Sequence, residues 1–142
     1  MKSTRSTLPN EVFLSHSSRN KGFVTKLATV LRRHNVPVWL SETNLAGAQQ
    51  WHDEIGQALK RCGWFLVVLS PSSVKSEWVK RELLFALQQK QYQGRIVPVL
   101  HKNCDVLQLS WTLPSLQYVS FLQDFDNGCR DLLRIWGLGY AG

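Results

Sequence analysis

Short apolar runs and longer stretches of helical periodicity alternate along this chain. Glu11 to Ser15, Val36 to Leu40, Trp64 to Leu69 and Arg95 to Leu100 predict four strands, and Gln117 to Phe121 a weaker fifth. The third run is apolar throughout, the mark of a strand buried on both faces. Pro37 suits the start of the second, where a ladder N–H is dispensable. Between the strands, apolar residues recur at helical spacing. Phe23, Leu27, Val30 and Leu31 predict a helix from Asn20 to His34, capped by Ser17 or Ser18. Ser41 to Gln50 is expected as a loop. Trp51, Ile55, Ala58, Leu59 and Cys62 share one face of the next helix, which Gly63 ends. A third helix is expected from Ser76 to about Gln91, ahead of a break at Gly94. His101 to Leu116 is irregular, with one short helical turn. Phe125, Leu132, Leu133 and Trp136 place a final helix over Asp124 to Trp136.

Strands separated by helices make an α/β sheet, mostly parallel. With five strands in 142 residues, the expected form is a flavodoxin-like three-layer sandwich. Its strand order is 2-1-3-4-5, with helices on both faces and right-handed crossovers. No repeat or low-complexity linker divides the chain. Residues 1–9 read as a polar tail and 10–142 as one domain. In such sheets ligands bind beyond the carboxyl ends of the strands, where the order reverses. That point lies between strands one and three. Ser15-His16-Ser17-Ser18 and Ser70-Pro71-Ser72-Ser73 border it, both small and rich in hydroxyls.

Composition narrows the function classes. The chain is 44% hydrophobic and 19% charged, as expected of a globular domain. Its longest apolar run, Trp64 to Leu69, is strand-sized, so no membrane partner is expected. The tail lacks the apolar stretch of a signal peptide. Cys62, Cys104 and Cys129 are odd in number and scattered, which argues against a disulfide framework and for a reducing, cytoplasmic setting. The net charge of +7 favours anionic ligands such as nucleotides. Arg32-Arg33, Lys60-Arg61 and Lys80-Arg81 fall on three different helices, however. They make no basic stripe interleaved with aromatics, so nucleic acid is not an expected partner.

Candidate chemistry gathers on the helix after strand three. Val79, Leu83, Ala86 and Leu87 form its core stripe. Trp78, Glu82 and Phe85 form a neighbouring one, because residues at i and i+4 share a face. Trp78 and Glu82 therefore stand side by side near the predicted crevice. An indole can stack on a nucleobase or a nicotinamide ring. A carboxylate beside it can hold ribose hydroxyls or stabilise an oxocarbenium-like transition state. Burial against the indole would raise its pKa. The plainer alternative is a half-buried tryptophan edge with Glu82 in solvent, the commoner place for a glutamate. His16 is either a donor to a phosphate or sugar or an ordinary loop histidine. Trp39 and Trp51 either line the crevice rim or pack helix against sheet. His101 and Cys104 have a His-x-x-Cys spacing, but no second pair completes a zinc site. There is no Gly-x-Gly-x-x-Gly, Walker loop or Gly-x-Ser-x-Gly elbow. Ser15 and Ser70 stand where a receiver domain needs acidic residues.

Taken in order, these motifs resemble the Toll/interleukin-1 receptor (TIR) domain family. Glu11 to His16 is similar to its first box. Val38-Trp39-Leu40, then Leu45-Ala46-Gly47 and Trp51, is similar to strand two and the BB loop. Phe65 to Pro71 is similar to strand three. Ser76-x-Trp78-Val79-x-x-Glu82-Leu83 is similar to the helix motif that carries the catalytic glutamate in TIR enzymes, and Ile96 to Val99 to strand four. Three positions depart from the pattern. Ser41 replaces an aspartate, Ala48 holds a BB-loop glycine position with Gly47 one residue early, and serines follow His16 where some enzymes carry arginines.

The resemblance implies two alternative roles. One is cleavage of the nicotinamide–ribose bond of NAD, giving nicotinamide with ADP-ribose or a cyclic isomer. Glu82 would then be catalytic. Trp78 and Ser76 on the helix, and Ser15, His16 and Ser17 after strand one, would border the substrate. So would Trp39, Leu45, Gly47 and Trp51 around the BB loop. NAD is the substrate, and no cofactor or metal is expected. The site is expected to form by self-association into a dimer or filament, with a sensor or effector domain in the same or a partner chain and a role in immune or antiphage signalling. The other role is a non-catalytic scaffold acting through TIR–TIR contacts. A nucleoside deoxyribosyltransferase, which shares the fold type and uses a glutamate, fits the first box and BB loop less well.

Overall fold

The computed structural model describes residues 8–41 and 48–142, residues 48–51 by their backbone alone. Leu45, Gly47 and the Trp51 side chain therefore lie outside the described residues. The strands are β1 (Val12–Ser15), β2 (Val38–Leu40), β3 (Trp64–Leu69), β4 (Ile96–Leu100) and β5 (Val119–Ser120). The helices are α1 (Lys21–Arg33), α2 (Ala48–Arg61), α3 (Glu77–Leu87) and α4 (Phe125–Ile135). The sheet order is β2-β1-β3-β4-β5, and every neighbouring pair is parallel. This is the flavodoxin-like arrangement the alternation of elements predicts.

Period-two alternation divides the strand side chains between two cores. Val12, Leu14, Leu66, Val68, Val97 and Val99 face Leu27 and Leu31 of α1 and Leu132 and Leu133 of α4. Phe13, Phe65, Val67 and Leu69 face Ile55 and Leu59 of α2 and Val79 and Leu83 of α3. Ser15 follows Phe13 by two residues, so it points to the α2–α3 side.

Several boundaries differ from the sequence expectation, each for a local reason. Ser17 caps a 3-10 turn over Ser18–Asn20, its hydroxyl accepting from the Arg19 amide. It does not cap α1, which begins only at Lys21. α2 begins at Ala48, inside the expected loop. Gly63 does not close α2 through a left-handed backbone, because Gly94 and Gly137 are the glycines with positive φ among the described residues. A Cβ on Gly63 would meet the Asn10 side-chain oxygen at 2.5 Å, so a larger residue there would require that exposed side chain to turn aside. α3 ends at Leu87, short of Gln91, and a separate 3-10 turn covers Lys90–Tyr92. That turn lets the Gln91 side-chain amide donate to the carbonyls of Lys60 (3.0 Å) and Cys62 (2.7 Å), while the Tyr92 hydroxyl donates to that of Leu59 (2.5 Å). These carbonyls at the end of α2 have lost their helical partners and need donors. The irregular stretch after β4 holds two 3-10 turns, Val106–Gln108 and Leu113–Ser115, where one was expected.

α4 is pressed against the end of β5 at one glycine. A Cβ on Gly128 would lie 2.2 Å from the Phe121 ring. Phe121 is itself wedged against Phe23 and Phe125, with ring centroids at 5.3 and 5.7 Å. Alanine is the better helix former by about 1 kcal/mol, yet overpacking here should dominate. We expect Gly128→Ala to destabilise the fold by about 1–3 kcal/mol in urea denaturation. A stabilised variant would contradict this packing.

Candidate active site

The predicted crevice is built from the carboxyl ends of three strands and the first turns of one helix. Ser76 starts α3, its hydroxyl accepting from the Val79 amide at 3.2 Å. It is therefore the helix cap, at a residue the resemblance places among the substrate contacts. From this cap α3 packs against β1 and β3, and Glu82 reaches the serines at the ends of β1 and β2. The core stripe Val79, Leu83 and Ala86 is fully buried against the sheet. Glu82 lies beside that stripe and is carried inward with it.

Glu82 is 2% exposed, so it is not the solvated helix residue of the plainer reading. The Ser15 hydroxyl donates to Oε1 at 2.6 Å. The Ser41 hydroxyl donates to Oε2. The Trp78 side chain is a third neighbour that favours the charged form of the carboxyl. Burial drives the carboxyl pKa up from 4.5 to about 7, and the hydroxyls of Ser15 and Ser41, with Trp78 beside them, act in the opposite direction. Near neutral pH Glu82 can thus be either a carboxylate or a carboxylic acid. A carboxylate held in so dry a place is a strong electrostatic partner for developing positive charge.

Around this centre the expected residues separate. Trp78 is half-buried, with His52 edge-on at 6.3 Å between ring centroids and the Arg81 guanidinium 6.0 Å from its ring. Trp39 is half-buried, stacks on Phe13 at 5.2 Å and packs against the α2–α3 core. His16 is buried, with Nδ1 3.3 Å from the Leu14 carbonyl. A carbonyl can only accept, so Nδ1 carries the proton in that bond. The serines after β3 turn inward. Ser70 donates to Asn20 Oδ1 at 2.7 Å, and its backbone amide donates to the Ser73 hydroxyl at 2.8 Å. Their hydroxyls hold the two crevice loops together.

Sequence reasoning noticed Ser41 only as a departure from a family pattern, and passed over Asn20. The signal for Ser41 is the repeated pattern Phe13-Leu14-Ser15 and Trp39-Leu40-Ser41, which becomes informative once the strands are known to pair in parallel. A separate cleft of 540 Å³ lies at the other end of β3 and β4, among Trp64, Leu87, Tyr92, Ile96, Leu116 and Ile135. It faces away from Glu82.

The profile of the TIR domain family matches residues 12–133. The chain belongs to the TIR domain family. Among curated relatives it is 32% identical over 130 residues to NAD(+) hydrolase TcpA of Theionarchaea archaeon (strain DG-70-1), covering 88% of this chain and 39% of that protein. It is 30% identical over 110 residues to 2' cyclic ADP-D-ribose synthase BtTIR of Bacteroides thetaiotaomicron, covering 75% of this chain and 37% of the relative. The TIR domain described here thus spans well under half of each. Among solved structures, the TIR domain of the Toll-related receptor TRR-2 from Hydra magnipapillata superposes with a TM-score of 0.67 at 17% identity, over 88% of this chain and 90% of that one. The likeness in backbone extends to a metazoan receptor, and at that identity it concerns fold alone.

The Glu82 environment sets a pH dependence of stability. Its folded pKa of about 7 lies above the ordinary 4.5, so the native state keeps a proton that the unfolded chain releases. Stability therefore falls as pH rises from about 4.5 to about 7. We expect Glu82→Gln, neutral at every pH, to be the more stable protein at pH 8, by up to about 3 kcal/mol. Near pH 4.5 the two should differ little. Urea denaturation at both values checks this, and a gain of equal size at both would refute the assignment.

Proposed function

We propose that this TIR domain cleaves the nicotinamide–ribose bond of NAD. One observation carries the reading: a buried carboxylate, Glu82, held on both oxygens by serines beside a half-exposed indole at the switch point of the sheet. The names of the two curated relatives, an NAD(+) hydrolase and a cyclic ADP-ribose synthase, support it.

In the proposed reaction the bond between ribose C1′ and the nicotinamide nitrogen breaks heterolytically. Its electron pair leaves on the ring nitrogen, and nicotinamide departs neutral without a proton donor. Positive charge passes to the ribose, where the Glu82 carboxylate stabilises it and accepts hydrogen bonds from ribose hydroxyls. Trp78 stacks against an aromatic ring of the nucleotide. Water adding to C1′, with loss of a proton to solvent, yields ADP-ribose. Attack from within the substrate yields a cyclic isomer. Ser15, His16 and Ser17 border the site. The reaction consumes NAD and calls on no resident cofactor or metal.

The almost complete burial of Glu82 in the single chain supports activation by self-assembly, since substrate must reach a carboxylate that one chain alone keeps closed. Signalling in immunity and a sensor or effector partner domain belong to the same proposal. The free cysteines support a cytoplasmic setting. No described helix is long and apolar enough to cross a membrane.

Nicotinamide release from NAD, followed chromatographically with and without a crowding agent, tests the reading. Glu82→Ala should lose at least about a hundredfold in turnover, whereas Glu77→Ala, at the exposed helix start, should keep it. Activity should rise with pH through a limb near the Glu82 pKa of about 7. Absence of nicotinamide release in every assembled state would leave the scaffold role instead.

A further inference from the structure

Two adjacent strands end on the same three-residue pattern, an aromatic, a leucine and a serine. The register sets Phe13 opposite Trp39 and Leu14 opposite Leu40. The ladder continues one step further, the Ser41 amide donating to the Leu14 carbonyl at 3.3 Å. Alternation therefore turns the Ser15 and Ser41 side chains to the same face of the sheet, side by side, where α3 brings Glu82. Both serines are buried, at 0% and 3% exposure, and each supplies one hydroxyl to one carboxylate oxygen.

The pairing has a mechanical consequence. The last torsion of a glutamate is broad and nearly two-fold, so a single hydrogen bond leaves the carboxylate plane poorly defined. A donor on each oxygen fixes it. Ser15 lies within β1, and Ser41 directly follows the edge strand β2. We propose that Ser41 is a positioning residue of the Glu82 site, its hydroxyl completing with Ser15 a two-point clamp that sets the plane of the carboxylate and favours its ionised form. Ser41 acts through Glu82 and need not touch substrate. The inference rests on the reading of Glu82 as the working carboxylate.

The other groups around the carboxylate do not duplicate this function. Trp78 approaches from the same helix as Glu82. His52 of α2 and the Arg81 guanidinium lie around the Trp78 ring, and His16 follows Ser15 in β1 with Nδ1 turned to the Leu14 carbonyl. The influences on Glu82 ionisation among the described residues are burial and the three neutral side chains Ser15, Ser41 and Trp78. Removing Ser41 removes one of the three that oppose burial.

The test is a carbon-detected NMR titration of the Glu82 side-chain carboxyl in the full chain, run beside the pH profile of nicotinamide release. Ser41→Ala should move the titration midpoint upward by about one pH unit. Ser41→Thr should restore it, and Ser41→Cys, a near-isosteric weak donor, should fall between. At pH 7 kcat in Ser41→Ala should drop at least about fivefold with KM nearly unchanged; the part due to the lost ionised fraction should return at high pH, while a smaller loss from the unfixed carboxylate plane should persist. A merely structural role would lower activity by the same factor at every pH and leave the titration midpoint unmoved. An unmoved midpoint in folded Ser41→Ala or Ser41→Cys overturns the proposal. A shifted midpoint with no nicotinamide released by any variant supports the clamp and overturns NAD cleavage as the function of the site.

Discussion

A parallel sheet can be closed only by crossovers that run over its faces, and its strands must then be apolar on both sides. The rest of this molecule follows from that constraint. It explains the unbroken run from Trp64 to Leu69 and the division of the core into an α1–α4 layer and an α2–α3 layer. It also leaves the strand ends as the places where polar side chains can face inward. Ser15 and Ser41 stand at two such ends, and Ser70 at a third. The polar centre is thus a boundary of the core, where the apolar alternation stops while the cover of helix α3 continues.

At that boundary two opposing effects meet on one group. Burial disfavours the charge on Glu82, and hydroxyl donors on each oxygen favour it. The balance leaves the pKa at about 7. An exposed glutamate would be ionised throughout the physiological range but weakened by water as an electrostatic partner. An unassisted buried one would stay protonated. The serines keep a dry carboxylate chargeable near neutral pH, which is the property the proposed chemistry needs. Ser41 shows how a departure from a family pattern can be chemically consistent: aspartate at this position would set a second carboxylate against the first, whereas serine donates to it.

The relationship to other TIR domains covers nearly all of the described fold, while the curated relatives are more than twice as long as the aligned region. The shared part contains the sheet, the helix with Trp78 and Glu82, and the crevice between β1 and β3. The capacity proposed for this chain therefore resides in an element that the relatives place within a longer protein.

Apolar periodicity was enough to determine the five strands and four α-helices and their succession along the chain, because strand and helix spacing reflect burial on faces of a known period. The i, i+4 spacing likewise paired Trp78 with Glu82. Boundaries at Ala48, Leu87 and Lys21 were less legible, since caps and the Gln91 and Tyr92 bonds to the end of α2 depend on partners about thirty residues away. The state of Glu82 was open for the same reason. A glutamate beside a core stripe reads alike whether buried or solvated, and only the packing of α3 against β1 and β3 decides between them. Ser15 and Ser41 are 26 positions apart in sequence. Their shared motif acquires meaning through the parallel register, which sequence periodicity does not encode. The chain's pattern determined which faces are buried; the tertiary structure decided which polar groups meet there, because that depends on register and on the angle at which one helix crosses the strand ends.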